Sequence, residues 1–175
     1  HYYGGIKKYQ WTTIPLALHG TISKADGTTV DICIGEDEND PVFYINDLLP
    51  HLAGDQMRKS LSEGISGEQL NLLSGSRTFG KDVSEGVKLN ILSILNEKYG
   101  ITEADFLSAE LCGVPAYKAR DIGLDRSMIG SYGHDDRVCA YPSLTAVMAV
   151  KAPKHTIMTI LADKEEIGSE GNTGM

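Results

Sequence analysis

Residues 133–168 read GHDDRVCAYPSLTAVMAVKAPKHTIMTILADKEEIG, and this stretch decides the predicted fold. Its first half is typical of a helix. Pro142 is expected either to kink this helix or to mark a later start for it. The run HTIMTILA (155–162) is short, apolar and β-branched, which is typical of a buried strand. The run SAELCGVP (108–115), before the helix, also predicts a strand. Strand, helix and strand in this order predict an α/β layer with parallel pairing.

Two pairs of adjacent carboxylates flank the predicted helix and strand. Asp135 and Asp136 stand where a loop enters the helix, and Glu165 and Glu166 follow the apolar run. Ligands of an open α/β sheet gather at the carboxyl ends of its strands, so both pairs are expected at one sheet edge. Adjacent like charges there indicate a bound cation, with one carboxylate as ligand and another as general base toward metal-bound water. The plainer alternatives are a solvated glutamate pair and an aspartate N-cap.

The first hundred residues lack this order of strand, helix and strand. Two strands are predicted at IPLALHGTIS (14–23) and TTVDICIG (28–35), and Asp26-Gly27 between them is a strong hairpin signal. Apolar and polar residues alternate from Val30 to Ile34, which predicts a strand with one buried face. A third strand-like run is PVFYI (41–45).

A helix is predicted over residues 84–99, with Ser84 as its cap and Gly100 as its end. Thr102 and Asp105 resemble a capping box, with Asp in place of Glu, for a second short helix. Both signals depend on local hydrogen bonds between a side chain and the backbone, so they predict helix ends rather than packing.

Two segments predict irregular structure. Residues 46–82 are rich in Gly and Ser and have weak periodicity, which predicts loops with one short helix. Residues 116–133 predict loop and turn. The predicted order of strand, helix and strand appears only after Leu107, so a domain boundary is predicted near residue 108.

Composition and charge exclude several classes of protein. The 175-residue chain has a net charge of −8, which argues against nucleic acid and anionic membrane surfaces as partners. No apolar run approaches ~20 residues, so no membrane span is predicted. The three cysteines form no CxxC pair, which argues against a thiolate zinc knuckle and predicts small buried thiols in a reducing, cytoplasmic compartment. The chain starts in mid-pattern at His1, so we expect it to be a piece of a longer protein.

Four stretches together resemble the aspartyl aminopeptidase family of dinuclear zinc metallopeptidases. They are GHDDRVCAYPSL (133–144), DKEEIGSEG (163–171), YYGGIKKYQWTTIPLAL (2–18) and LLPHLAGD (48–55). The resemblance extends from one end of the chain to the other, although residues 46–107 match less specifically.

The resemblance implies an α/β fold that contributes part of a mixed sheet with helices, interrupted by a β-rich insert. Residues 1–12 and 109–175 would belong to the catalytic domain, and residues 13–108 would form the inserted dimerisation domain. It also implies a homo-oligomer, in which dimers assemble further into a dodecamer in some relatives.

The resemblance assigns roles to the carboxylates. Asp135 would bridge two zinc ions, Glu166 would bind one of them, and Glu165 would be the general base. Asp136 stands where many relatives have Asn, so it is expected to lie near the metals without being a direct ligand.

The histidines carry weaker expectations. His134 would be a zinc ligand or a hydrogen-bonding neighbour of the aspartates, and His51 would either reach the active site of a neighbouring subunit or be structural. Relatives have a second His four residues after His51, where this chain has Asp55. His19 and His155 fall in strand-like runs and are expected to be structural.

The implied function of the full-length protein is zinc-dependent release of N-terminal residues from peptides by metal-activated water. The family name points to acidic N-terminal residues, and the preference is left open. The family's other three zinc ligands would lie outside this chain, so the chain alone is expected to be inactive. Two alternatives stay open: an oligomerisation module, and a carboxylate-based cation-binding domain. The chain has no dense D-x-D-x-D-G loop, which counts against a calcium module.

Overall fold

A computed structural model describes residues 4–166 of the chain. The chain divides into two compact units. The first unit is Lys7–Tyr117, and the described part of the second comprises residues 4–6 and 118–166. Within the described residues the strands are β1 (Leu16–Ser23), β2 (Thr29–Ile34), β3 (Tyr44–Ile45), β4 (Leu72–Leu73), β5 (Ala109–Pro115), β6 (Arg120–Ile122) and β7 (Met128–Gly130), and the α-helices are α1 (Gly86–Tyr99) and α2 (His134–Ala149). Short 3₁₀ turns lie at Lys8–Trp11, Gln56–Arg58, Gly67–Gln69 and Glu103–Ser108.

A three-stranded antiparallel sheet, in the order β2-β1-β5, organises the first unit. β1 and β2 form the predicted hairpin, in which Leu18 lies opposite Ile34 and Ser23 opposite Thr29. Gly27 has φ +84° in the connecting turn, a backbone conformation that favours glycine. The Asp26 carboxylate accepts hydrogen bonds from the backbone N–H of Thr28 (2.9 Å) and from its hydroxyl (2.6 Å). The hairpin prediction is therefore confirmed.

The core of the first unit lies on one face of this sheet. Ile22, Ile32, Ile34 and Ile101 are buried together, with Leu95 and Tyr99 of α1 among the partly buried side chains packed against them. The predicted alternation in β2 is confirmed, because Ile32 and Ile34 are buried whereas Asp31 and Cys33 are exposed. Burial of each isoleucine contributes about 1.5–3 kcal/mol, so this cluster holds α1 against the sheet.

The ends of α1 agree with the sequence at one terminus only. Gly100 ends the helix with φ +64°, and its N–H donates to the Asn96 carbonyl at 2.7 Å, as predicted. The predicted Ser84 cap is wrong, because the N-cap residue is Glu85, with φ +54° and no capping hydrogen bond. The backbone of Gly86 bonds instead to Phe79 and Val83, which keeps residue 84 outside the helix.

The Thr102–Asp105 capping box is confirmed. The Asp105 carboxylate accepts from the Thr102 backbone N–H at 2.7 Å and from its hydroxyl at 2.8 Å, at the start of the turn Glu103–Ser108. The irregular segment 46–82 contains two three-residue 3₁₀ turns and β4, rather than one short helix. In the strand-like run at 41–45, Tyr44 and Ile45 form β3 and pair with β4, and Phe43 forms an antiparallel bridge with Leu16 of β1.

The second unit contains a hairpin that the sequence analysis missed. β6 and β7 pair antiparallel with Asp121 opposite Ile129, within the segment predicted to be loop and turn. The Asp125 carboxylate accepts from the Ser127 N–H and hydroxyl, and Gly123 has φ +84°, which together build the tight turn. The segment is rich in residues that favour turns, and its two strands have only three residues each, so the sequence did not predict them.

α2 follows the hairpin and runs through Pro142 with helical dihedral angles. The one non-helical residue inside it is Asp135, with φ −81° and ψ +115°. The late start expected at Pro142 is wrong, because the helix begins at His134, and the interruption of its dihedral angles lies at the first aspartate. The kink expected at Pro142 stays a prediction. Within residues 4–166, no helix has both the length and the apolar composition that crossing a lipid bilayer requires.

The predicted buried strand at residues 155–162 is wrong. This run has no strand pairing among the described residues, and Met158 and Ile160 are 75% and 67% exposed. The hydroxyl of Thr159 donates to the Ser143 carbonyl at 3.3 Å, so the run lies along α2 without joining a sheet. Every strand pair among residues 4–166 is antiparallel, so the predicted parallel layer is also absent from the described part of the chain.

The cysteine prediction is correct in one respect and wrong in another. None of Cys33, Cys112 and Cys139 forms a disulfide bond in the part of the chain that the structure describes. Cys33 and Cys139 are nevertheless exposed, and only Cys112 is partly buried. Cys33 is exposed because it shares the outward face of β2 with Asp31, opposite the isoleucine face.

Candidate functional site

Asp135 and Asp136 lie where the β7 hairpin leads into α2. Gly133 has φ +78° and precedes the helix, and the peptide bond between the two aspartates is cis. Both aspartates are exposed to solvent. The position of the pair at a loop-to-helix transition is the one that the sequence predicted.

Hydrogen bonds from two neighbouring side chains fix the loop that carries these aspartates. One guanidinium nitrogen of Arg137, Nη1, donates to the carbonyls of Tyr132 and Gly133, at 3.1 Å each. Nε2 of His134 lies 3.0 Å from the Ile129 carbonyl, and because a carbonyl can only accept, Nε2 is the donor. The loop is thereby tied to the end of β7 by His134, and the role of His134 toward the aspartates or a metal stays a prediction.

A surface depression of about 430 Å³ contains both aspartates. Its other wall is formed by residues 161–163, at the end of the apolar run. Its lining residues are Tyr132, Gly133, Asp135, Asp136, Arg137, Ala140, Leu161, Ala162 and Asp163. The structure therefore brings the first carboxylate pair together with the segment that leads to the second pair.

Glu165 and Glu166 follow directly after this wall. Lys164 has φ +56°, which turns the chain sharply between Asp163 and the glutamates. Both glutamates are exposed, and neither is among the residues that line the depression. A Cβ placed on Gly4 would lie 4.0 Å from Cβ of Glu166, so the start of the described chain runs beside this glutamate.

Asp163 is a carboxylate of the depression that the sequence analysis did not single out. Its position at the end of the apolar run, two residues before Glu165, was the available signal. Arg137 was missed as well, although it stands directly after the aspartate pair. Its contribution depends on the reach of its guanidinium to two backbone carbonyls, which spacing along the chain does not reveal.

His51 lies in the first unit, in an exposed turn. The N–H groups of Leu52 and Ala53 donate to the carbonyls of Leu49 and Pro50, at 2.8 and 3.4 Å. His51 is exposed beside buried Ala53, and its role stays a prediction.

The whole chain, residues 1–175, matches the family model of the aminopeptidase I zinc metalloproteases (M18). This chain belongs to the M18 family. The resemblance to zinc aminopeptidases is thus confirmed at the level of the family.

Other members of the M18 family agree closely with the chain. A probable M18 family aminopeptidase 1 from Clostridium acetobutylicum is 60% identical over 177 residues, covering 100% of this chain and 38% of the relative. The corresponding protein of Thermotoga maritima is 53% identical over 174 residues, which again are 38% of its length. The chain therefore spans about 38% of the length of these M18 relatives.

Two solved M18 structures share the fold. The crystal structure of the aminopeptidase from Thermotoga maritima has a TM-score of 0.88 at 53% identity and covers 99% of this chain. That of aminopeptidase I from Clostridium acetobutylicum has a TM-score of 0.86 at 57% identity. Each match covers 38% of the solved chain, so the fold described above is part of a larger M18 fold.

The carboxylates fit part of the zinc site that the M18 family implies. Asp135, Asp136 and Asp163 line an exposed depression, and their carboxylate oxygens are a ligand type that zinc accepts. The depression has no histidine among its lining residues in the described part of the chain. Because zinc favours nitrogen or sulfur ligands beside oxygen, these residues can supply only some of its ligands.

Proposed function

We propose that this chain contributes part of the active site of a zinc-dependent aminopeptidase that releases N-terminal residues from peptides. One observation carries the proposal: the depression joins Asp135 and Asp136 to the segment that continues directly into Glu165 and Glu166. Membership of the M18 family supports it independently.

In this proposal, Asp135 and Glu166 would hold the zinc, Asp135 as the carboxylate shared between two ions and Glu166 as a ligand of one of them. Zinc, when bound, supplies Lewis acidity toward the scissile carbonyl and lowers the pKa of bound water. Glu165 accepts the proton of the attacking water and returns it to the leaving amine, which is the role of a general base and then a general acid. Asp136 supports the bridging carboxylate, and Arg137 holds the loop through the carbonyls of Tyr132 and Gly133.

The proposal extends to the organisation of the protein. Residues 1–12 and 109–175 belong to the catalytic domain, and residues 13–108 form an inserted dimerisation domain in a cytoplasmic homo-oligomer, a dimer or a dodecamer. The compact unit Lys7–Tyr117 supports an insert in this region, and it also includes residues 7–12 and β5, which border the insert on the catalytic side. The lack of a disulfide bond among the described cysteines fits a reducing compartment.

Exposed apolar side chains in the first unit favour an assembly role for the insert. Leu49, Leu52, Met57 and Leu61 are 67–72% exposed within one irregular segment that also carries His51. A concentration of large apolar side chains on the surface indicates an interaction site, so this segment is the proposed contact between subunits.

The test of this function uses the full-length protein. Its zinc content and its turnover of aminoacyl substrates are compared with those of Asp135→Asn, with Asp125→Asn of the β6–β7 turn as a control. We expect zinc and turnover to fall together in Asp135→Asn and to persist in the control. Normal zinc content and turnover in Asp135→Asn would remove the bridging role. Leu52→Asp, compared with Leu124→Asp, tests the subunit contact by its effect on mass in solution.

A further inference from the structure

A second group of metal-binding residue types lies in the first unit, on the outward face of the hairpin. His19 of β1 stands directly opposite Cys33 of β2, and Glu36 follows three residues after Cys33. One ligand atom from each of these side chains lies within 4.8 Å of the others. Among the described residues, no other set of three His, Cys, Asp or Glu side chains meets this condition.

The imidazole of His19 lacks a satisfactory hydrogen bond at this position. Its Nε2 atom is shielded from solvent and has no hydrogen-bond partner among the described residues. Oε1 of Glu36 lies 3.1 Å away, but not in the direction that a hydrogen bond requires. Two ligands of one tetrahedral metal ion at ~2.0–2.1 Å lie ~3.3 Å apart, and their lone pairs point at the ion rather than at each other. The separation of His19 and Glu36 is close to that value.

The backbone after β2 holds Glu36 over the hairpin. Gly35 has φ +109°, and a Cβ on it would stand 2.9 Å from Cα of Ala17, so the turn lies tight against β1. The Gly35 N–H also donates to the Asp40 carboxylate at 3.1 Å. This turn directs Glu36 toward His19 before any ligand binds. Less conformational entropy is therefore lost when a ligand binds.

We propose that His19, Cys33 and Glu36 form a mononuclear site for a divalent transition metal of the zinc type. Nitrogen, thiolate sulfur and carboxylate oxygen are the three ligand types that zinc accepts, at ~2.0–2.3 Å, and three protein ligands leave a fourth position for water. Cys33 releases its proton on binding, because the thiolate is the metal ligand. Small side-chain rotations bring ligand atoms from within 4.8 Å to the required separation.

This site is chemically distinct from the carboxylates around Asp135. It includes a sulfur ligand, whereas the zinc centre of the proposed function contains none. The metal would join β1, β2 and the turn after β2, so its expected effect is to stabilise the hairpin. The inference therefore does not depend on the proposed aminopeptidase activity.

Cobalt(II) provides a specific probe of the sulfur ligand. The full-length protein is freed of metal with a chelator and titrated with Co²⁺, and thiolate-to-cobalt charge-transfer absorption is followed in the near ultraviolet. We expect a band whose final amplitude corresponds to one thiolate-bound Co²⁺ per chain, beside any Co²⁺ bound at the carboxylates around Asp135, and which disappears when Zn²⁺ is added. Histidine and carboxylate ligands elsewhere do not give this band, so binding at the proposed active site cannot imitate it.

Variants identify the ligands. Cys33→Ser is expected to lose the band, whereas Cys112→Ser and Cys139→Ser are expected to keep it. Cys112 is the demanding control, because it lies opposite His19 on the other neighbouring strand, β5. Glu36→Gln changes a side chain that is 60% exposed, so the fold is retained, and a fall of at least tenfold in Co²⁺ affinity is expected. No band at saturating Co²⁺, or a band unchanged in Cys33→Ser or an affinity unchanged in Glu36→Gln, would overturn the site.

Discussion

Gly20 of β1 lies so close to Glu110 of β5 that a Cβ built on the glycine would stand 1.9 Å from the Glu110 carbonyl oxygen. The backbone of Gly20 has φ +152°, a value that side chains rarely adopt. The contacting atoms belong to the backbone of the paired strand, so rotation of a side chain cannot relieve the clash. The join between the hairpin and β5 therefore depends on this glycine.

Gly20→Ala is expected to destabilise the protein by about 2–5 kcal/mol, from steric overlap and the unfavourable φ together. The measurement is the free energy of unfolding in urea, or the thermal midpoint where unfolding is irreversible. Gly54→Ala is the matched control, because a Cβ there would meet no atom within 4 Å. Equal stability of the two variants would contradict the close approach of β1 and β5.

Acid is expected to weaken the turn after β2 through Asp40. The Gly35 N–H is the main cause that holds the pKa of the Asp40 carboxyl below its ordinary value, the Lys98 ammonium adds to it, and partial burial opposes it. A pKa lowered in the folded state means that this stabilisation is fully present above the ordinary Asp value of about 3.9. It is lost as the pH falls from there through the folded-state pKa.

Asp40→Asn should therefore lower stability at neutral pH and flatten its decline below about pH 4. Thermal midpoints measured from pH 2 to pH 7 test this. The decline will not vanish, because Asp26 and Asp105 also have lowered pKa values, caused chiefly by hydrogen bonds from Thr28 and Thr102. Asp82→Asn, at an exposed carboxylate with no hydrogen bond among the described residues, should leave the profile unchanged. The same profile for both variants would remove Asp40 as the cause.

Local signals in the sequence predicted the parts of the fold that local interactions determine. Asp26-Gly27 specified the hairpin because its turn geometry and side-chain hydrogen bonds lie within five residues. Gly100 and the Thr102–Asp105 pair specified helix ends for the same reason. Ser84 failed because the more distant Phe79 bonds to Gly86 and displaces the helix start.

Predictions that required a partner elsewhere in the fold had mixed outcomes: the strand predicted at 108–115 formed as β5, paired with β1, whereas the strand predicted at 155–162 did not form. The run at 155–162 has the composition of a core strand, but strand formation and burial depend on a neighbouring strand, and none is paired with it among residues 4–166. The exposure of Cys33 followed from the face of β2 on which it lies, rather than from its residue type. For the site, adjacency of carboxylates predicted Asp135 and Asp136, whereas Asp163 and Arg137 required the three-dimensional depression.

Arg137 is expected to position Asp135 without touching a metal. Its Nη1 atom donates to the Tyr132 and Gly133 carbonyls, so Arg137→Ala should loosen the loop and weaken zinc binding in the full-length protein about 10–100-fold. Arg137→Lys should restore only part of the affinity, because an ammonium lacks the fixed geometry of the guanidinium. Chelator competition measures the affinity, with Arg126→Ala as the control from the neighbouring hairpin. If zinc affinity in Arg137→Ala equals that of the control, the loop does not need this support.

Glu165 and Glu166 are adjacent, yet their substitutions should have different consequences in the full-length protein. Glu165→Gln should keep its zinc and lower kcat about 10²–10⁴-fold, because the amide cannot accept the proton of the attacking water. Glu166→Ala should lose zinc, because a charged ligand is removed, and activity should return in part when zinc is added in excess.

Zinc content by emission spectroscopy and kcat, measured on the same samples, separate the two effects. Glu97→Gln, an exposed glutamate of α1, serves as the control for a simple loss of surface charge. Full turnover in Glu165→Gln would contradict the general-base role of Glu165. Full zinc content in Glu166→Ala would contradict the ligand role of Glu166. Loss of zinc in both variants would mean that the pair binds metal jointly, and the proton would then have to go to another group, for which Asp136 and Asp163 in the depression are the candidates on this chain.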